Sequence, residues 1–293
     1  MTKTDSKLKK PIWLKVKATF DENYRRMKKL LSQSDLHTVC QEASCPNISE
    51  CFSQKTATFM ILGRICTRSC RFCDVEKGMP KKPDSDEPAR LAELVAELGL
   101  EYVVITSVTR DDLKDGGASL FARTINKIKQ ISPQTKVEVL IPDFKGSLEA
   151  LGTVIGSGPQ VLNHNLETVD RLYPRVRPEA LYHRSLELLR NAKRIDRNLF
   201  TKSGLMIGLG EAREEIIESM KDLNKAGCDL LTIGQYIRPP SSSYQVRKYY
   251  HPEEFQELKR LGEDLGFQNV EAAPLVRSSY RAGAQLERLS RNN

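Results

Sequence analysis

The sequence predicts an α/β protein built as a partial parallel (β/α)6 barrel of the TIM type, with N- and C-terminal extensions covering the barrel mouth. Three observations carry that prediction. Six short apolar runs alternate with helical patterns, the mark of parallel strands joined by crossover helices rather than of an antiparallel sandwich. Three cysteines follow the first of those runs, and barrels of this kind keep their chemistry at the C-terminal ends of their strands. Eight-fold closure needs two more units, so the barrel is partial; an open doubly wound sheet is the other arrangement the pattern allows.

The strands are expected at 56–62, 102–108, 136–141, 160–164, 203–207 and 230–236. Helical patterns occupy 88–98, 118–131, 147–155, 180–194 and 211–226, and a sixth, 252–265, follows the last strand. Pro178 and Pro252 stand where first-turn prolines would, and Ser85 or Asp86 offers a cap for the first helix. The chain divides into an N-terminal extension (1–55), the barrel (56–265) and a C-terminal extension (266–293), together one compact unit.

With 46 basic and 38 acidic residues among 293, and 39% hydrophobic residues, the composition is globular. It excludes wholesale disorder, collagen-like repeats and a disulfide mini-protein. No apolar run approaches the roughly 18 residues of a membrane span, and Met1 to Lys10 is polar with no signal-peptide core, so a cytoplasmic protein is expected. The net charge of +8 is densest at 7–17 and 24–29. It reads either as a solvated N-terminal face or as a surface for an acidic protein or phosphate-bearing group.

Six of the seven cysteines fall between Cys40 and Cys73. In a chain that stays reduced, such clustering means metal or redox chemistry before disulfides. Cys40, Cys45 and Cys51 are spaced C-x4-C-x5-C, and Cys66, Cys70 and Cys73 are spaced C-x3-C-x2-C. Cys228, alone in an apolar stretch, reads as a packed core residue. Structural zinc wants four closed ligands, and only His37 offers a fourth for the first trio. Three thiolates on a cube of four irons leave one iron open to a substrate. With Phe72 before its last cysteine, the second trio resembles the signature of the radical S-adenosylmethionine (SAM) superfamily, in which the open iron chelates the amino and carboxylate groups of SAM.

Polar, turn-rich segments leave the other strand ends at 109–117, 163–168, 208–211 and 234–236. Asn165 and Glu167 offer hydrogen bonds to a ribose or amino group, with a turn role open for Asn165. His164 reads as a structural histidine or a base. Gly208 and Gly210 either admit a ligand to the backbone or make ordinary turns.

These motifs, with Ile105–Val108, Asp115-Gly116-Gly117-Ala118, Asn163–Thr168, Lys202–Met206, Gly234-Gln235-Tyr236 and the RSSY element Arg277-Ser278-Ser279-Tyr280, resemble the lipoyl synthase family from about Lys9 to Ala282. Departures are few: Lys9, Phe52, Lys55 and Ala273 replace usual residues, and 245–251 is looser, none at a ligand position. The resemblance implies that Cys66, Cys70 and Cys73 hold a 4Fe–4S cluster that reduces SAM to methionine and a 5′-deoxyadenosyl radical. A second 4Fe–4S cluster on Cys40, Cys45, Cys51 and a serine of the RSSY element, Ser279 rather than Ser278 by the family pattern, then donates sulfur. Two rounds insert sulfur at C6 and C8 of a protein-bound octanoyl-lysine. Phe72, Asn165 and Glu167 are the expected SAM contacts, and Arg277 anchors the cluster edge or a carboxylate.

The implied partners are octanoylated lipoyl carrier domains (the E2 subunit of 2-oxoacid dehydrogenases, the glycine cleavage H protein), a low-potential donor such as ferredoxin or flavodoxin, and an iron–sulfur carrier, with no nucleic acid and no membrane. An alkyl C–H has no acidic proton, so no acid–base residue is expected to be catalytic. Lys9–Leu14 reads as an arm over the mouth with Trp13 as packing anchor. Two other readings compete. Another radical SAM sulfur-inserting enzyme, such as a biotin synthase or methylthiotransferase, lacks the first trio paired with RSSY; a zinc-stapled nucleic-acid-binding protein would use the positive charge.

Overall fold

A strand that is apolar at nearly every position needs cover on both faces, and the chain supplies it by following its strands with helices. The computed structural model describes residues 8–16, 19–54 and 56–292; Lys7, Lys17 and Lys55 lie outside them. The first elements are α1 (Glu22–Gln33), the two-residue strand β1 (His37–Thr38), α2 (Val39–Glu42) and α3 (Ile48–Ser53). The first barrel strand, β2 (Thr58–Ile61), leads into a small ribbon of β3 (Ile65–Cys66) and β4 (Glu76–Lys77). Next come α4 (Glu87–Leu98), β5 (Tyr102–Ser107), α5 (Ala118–Ile131) and β6 (Lys136–Leu140). They are followed by α6 (Leu148–Gly156), β7 (Val161–Asn163), α7 (Tyr173–Val176) and α8 (Tyr182–Ile195). The last are β8 (Phe200–Ile207), α9 (Arg213–Lys225), β9 (Leu230–Gln235), α10 (Pro252–Asp264), β10 (Asn269–Ala272) and α11 (Ala282–Asn292).

The main sheet runs β1-β2-β5-β6-β7-β8-β9-β10. β1 pairs antiparallel with β2, and every other neighbouring pair is parallel. Among the described residues the order does not return from β10 to β2, so the barrel is partial. The six expected strands and six expected helices are present. α5 illustrates why: Leu120, Phe121, Thr124, Ile125 and Ile128 repeat at helical spacing and are buried as one stripe against the sheet.

β10 is a strand the sequence reading missed. Its burial alternates over only four residues, yet Val270 pairs with Leu231 and the parallel sheet continues past residue 265. Two local expectations are corrected. Pro178 lies in a turn ahead of α8, which starts at Tyr182, because the preceding segment first makes the short α7. Asp86 occupies the N-cap position of α4 without a capping side-chain bond; Pro88 in the first turn sets the helix start, while Pro252 begins α10 as expected.

The C-terminal extension reaches both ends of the barrel. α11 packs against β5 and the edge strand β10, and its Leu286 and Leu289 meet Val161 and Leu230, with Tyr102 and Phe200 beside them, at the first residues of four strands. Above that floor, Lys202 donates to Glu138 at 3.1 Å, both fully buried, and Tyr102 Oη (2.6 Å) and Asn163 Nδ2 (3.2 Å) donate to the same carboxylate. Buried charge persists only when paired in this way. Cys228 is buried, as its apolar setting predicts.

Candidate active site and metal centres

The second trio is mounted on the barrel itself. After β2 the chain turns through Leu62 (φ 70°), whose N–H donates to the buried Glu87 at 2.8 Å while Arg110 donates to its carbonyl. The β3–β4 ribbon then brackets the cysteine loop, with Gly78 N donating to Cys66 O. Thr67 N and Oγ1 both donate to Thr109 O at 3.0 Å, and Asp111 N donates to Thr67 Oγ1. Arg68, between the first two cysteines, points inward and donates to Asp111 (2.7 Å) and Asp143 (2.6 Å), while its backbone N–H reaches Cys66 Sγ at 3.5 Å. Although Asp143 is buried, the Arg68 guanidinium holds its carboxyl at about 2. Further on, Arg71 N donates to Val176 O and Ser242 Oγ to Arg71 O. Phe72 packs against the satellite core of Val169, Leu172, Val176, Leu209 and Tyr236.

The first trio sits on short helices. Thr38 caps α2, putting Cys40 in a buried position; Cys45 N returns to Cys40 O, and Cys51 N on α3 donates to Asn47 O. His37, the one candidate zinc partner, faces Glu42 at 3.5 Å. The RSSY segment is drawn over this trio by three ties. Asn47 Nδ2 donates to Leu275 O (2.7 Å), Tyr280 Oη to Glu50 (2.9 Å), and Arg281 pairs with Glu50 at 3.4 Å. Gly234 makes the approach possible: a Cβ there would lie 2.1 Å from Val276 O.

Five of the six clustered cysteines, Cys40, Cys45, Cys66, Cys70 and Cys73, line one cavity of about 470 Å³ together with Ser278 and Ser279; Cys51 is not on its wall. Phe72, Asn165 and Glu167 line it too. Asn165 Nδ2 donates to Glu167 (3.0 Å) and to Ser278 Oγ (3.2 Å). The Ser279 hydroxyl makes no hydrogen bond among the described residues. Glu167 is held at φ 69° by its backbone bonds to Gly204 O and from Met206 N, a strained conformation of the kind that gathers at functional sites. Burial pushes its carboxyl up, against the pull of Arg177 and Arg277 beside it.

Arg177 is a residue the sequence reading passed over. Its Nη1 donates to Asn165 O, Leu166 O and Tyr173 Oη, leaving Nε buried without a partner, as is Asn165 Oδ1. Ser107 Oγ, on the same wall, is likewise unpartnered. Nothing local marks Arg177; only tertiary packing brings it to the mouth. His164 is structural: its ring nitrogens contact Ile141 O and Ser185 Oγ, and burial pushes it down to about 4, so it is neutral. Gly208 and Gly210 form a packed turn. A Cβ on Gly208 would meet Gln235 Nε2 at 2.2 Å, and the turn's N–H groups donate to Glu211. Trp13 stacks edge-on against His251 at 4.8 Å, and Lys10 of the same arm lines the cavity.

Among the described residues no group of three or more His, Cys, Asp or Glu side chains is placed to hold a single metal ion, while thiols within each trio crowd one another. Burial and the nearby Cys45 push the Cys40 thiol up to about 12; burial, Cys40 and Cys45 do the same to Cys51. Burial, Cys70 and Cys66 push Cys73 up to about 12 as well. Three thiols crowded in this way become thiolates together only against compensating cationic charge.

A family model described as the radical SAM superfamily matches residues 60–223. The parallel sheet with a three-cysteine loop at its first strand end is thus that of a radical SAM enzyme, a class that carries a 4Fe–4S cluster and uses SAM. A second model, the N-terminal domain of lipoyl synthase of the radical SAM family, matches residues 1–45. Lipoyl synthase of Caldicellulosiruptor saccharolyticus is 56% identical over 274 residues, 94% of this chain and 96% of its own. Lipoyl synthase of Bacillus subtilis is 52% identical over 292 residues, 99% of this chain and 98% of its own. The chain belongs to the lipoyl synthase family. Methylornithine synthase shares the fold (TM-score 0.55, 14% identity, 92% of both chains), as does HydG, a maturase of the [FeFe]-hydrogenase (TM-score 0.56, 15% identity, 72% of this chain and 49% of that one). Among the described residues no helix is long and apolar enough to cross a membrane.

Proposed function

We propose that the protein converts an octanoyl group, carried on a lysine of a lipoyl carrier domain, to a lipoyl group by replacing one hydrogen at C6 and one at C8 with sulfur. The observation that carries this reading is that all of the second cysteine trio and two members of the first, Cys40 and Cys45, line one cavity, with the RSSY serines on the same wall. Cys66, Cys70 and Cys73 would hold the cluster that binds SAM; Cys40, Cys45, Cys51 and Ser279 would hold a second 4Fe–4S cluster. When bound, the first group supplies the electron that cleaves SAM and the second supplies sulfur.

The chain's own residues do the rest. Asn165 keeps Ser278 occupied, which leaves the Ser279 hydroxyl for the first trio. An alkoxide is a harder and more replaceable iron ligand than a thiolate, suited to a cluster that must be taken apart. Asn165 Oδ1, Arg177 Nε and the Glu167 carboxylate offer an acceptor, a donor and a charge to the polar parts of SAM, with Phe72 as an apolar wall. Met60, Leu140, Leu205 and Val276 line the same cavity, accept an alkyl chain and exclude water from the radical step. Carriers of the E2 and H-protein classes, a ferredoxin or flavodoxin donor and an iron–sulfur carrier complete the cycle.

The test is anaerobic incubation of the reconstituted protein with SAM, a low-potential reductant and octanoylated carrier. The carrier should gain the mass of two sulfurs less two hydrogens. SAM cleavage with no change in carrier mass would contradict the reading.

A further inference from the structure

We propose that residues 8–16 and 19–29 form the surface on which the carrier protein docks, and that the partner face it fits is acidic; this rests on the function proposed above. The first 29 residues hold ten lysines and arginines against three acids, so they carry +7 of the net +8, and the other 264 residues are nearly balanced. On the barrel helices cations are matched with acids, as in Arg213–Glu257, Lys225–Asp222 and Lys259–Glu263. On α1, Arg26, Lys28 and Lys29 are exposed and make no ion pair among the described residues. Lys9, Lys10 and Lys15 of the preceding arm are exposed and unpaired in the same sense.

Charge is not the whole feature. Leu8, Ile12 and Phe20, 50%, 73% and 58% exposed, stand among these cations. Apolar anchors inside a charged rim are the anatomy of a protein interface rather than of a merely solvated face. The surface also borders the site: Lys10 lines the cavity, Trp13 pins the arm to His251, and α1 packs on α3, which carries Cys51. An acyl chain tethered to a folded domain enters the cavity only if that domain rests on its rim. A basic rim selects an acidic domain and speeds its encounter.

The test uses full-length protein and its Arg26/Lys28/Lys29→Glu variant, at positions outside the cavity wall. Two substrates are compared: an octanoylated carrier domain of net negative charge and a short neutral octanoyl-lysyl peptide. For the carrier, KM and the Kd measured without turnover should rise about 10-fold or more, with their salt dependence flattened. Turnover of the peptide and iron content should not change, and the Arg26/Lys28/Lys29→Gln variant should fall between. Unchanged carrier affinity, or equal losses on both substrates, would overturn the docking surface. So would wild-type binding to DNA or anionic vesicles that the variant loses while carrier kinetics stay the same. A wild-type protein that binds the carrier in a salt-dependent manner but converts neither substrate would instead overturn the proposed function.

Discussion

The loop of Cys66, Cys70 and Cys73 is locked from beneath by buried charge, whereas the loop of Cys40, Cys45 and Cys51 is closed from above by a segment of the C-terminus. In the first, Arg68 spans Asp111 and Asp143, and Thr67 is bonded three times to the turn that follows β5. In the second, helices of four and six residues are tied through Asn47, Glu50 and Ser44 to partners 30 or more residues away, most of them in 275–281. Removing one partner of a buried ion pair costs about 3–5 kcal/mol, whereas a typical hydrogen bond contributes about 0.5–1.5 kcal/mol. Under the proposed function, the centre that survives each turnover would sit on the first of these loops and the one that is dismantled and rebuilt on the second.

The comparison breaks most sharply at the cysteines. Cys66→Ala should abolish both 5′-deoxyadenosine and lipoyl product, while Cys40→Ala should abolish product and leave 5′-deoxyadenosine formation intact, both read by mass spectrometry. Gly234→Ala attacks the closing segment alone. Its Cβ would fall 2.1 Å from Val276 O, and overpacking of that kind costs about 1–3 kcal/mol, here spent on lifting Ser279 from the first trio. Iron from the first trio should be lost with SAM cleavage retained, and Ser279→Ala should match it more closely than Ser278→Ala.

On the barrel side, Arg68→Met takes the nearer cation from buried Asp143, leaving Arg184 at 3.3 Å, and should destabilise by about 3–5 kcal/mol. In a protein of this size that lowers the melting temperature by roughly 6–20 °C. Asp143 also sets a pH dependence. Its folded value lies near 2, below the ordinary 3.8, so its contribution is present above pH 3.8 and lost as the pH falls toward 2. Wild type and Asp143→Asn should therefore differ in stability at neutral pH and converge in acid. The smallest effect belongs to Asp74, which joins the two loops by accepting from Ser44 Oγ (2.6 Å) and Ser241 N (3.0 Å). Asp74→Ala removes exposed bonds worth about 1 kcal/mol each, so melting should hardly move. The ratio of SAM cleaved to sulfur inserted should rise by less than about 10-fold.

Much of this was legible in the residue order. Spacing alone separates the two cysteine trios, and helical periodicity places α5 to the residue. What was not legible depends on contacts remote in the chain. β10 is too short and too mixed to declare itself, and it is a strand because β9 offers an edge. The aspartates that hold Arg68 lie 43 and 75 residues away, and Arg177 reaches the cavity only through the turn of α7. The glycine at 234 reads as part of a motif, but its cause is the later arrival of Val276. The N-terminal charge was visible as density and uninformative until α1 was seen against α3.

The central claim is that the trios hold separate clusters, and counting iron and acid-labile sulfide per chain tests it most directly. Wild type, Cys40/Cys45/Cys51→Ala and Cys66/Cys70/Cys73→Ala would be reconstituted anaerobically side by side. The account predicts about eight irons in the wild type and about four in each variant. Four or fewer in the wild type, or the loss of all iron on removing either trio, would contradict it.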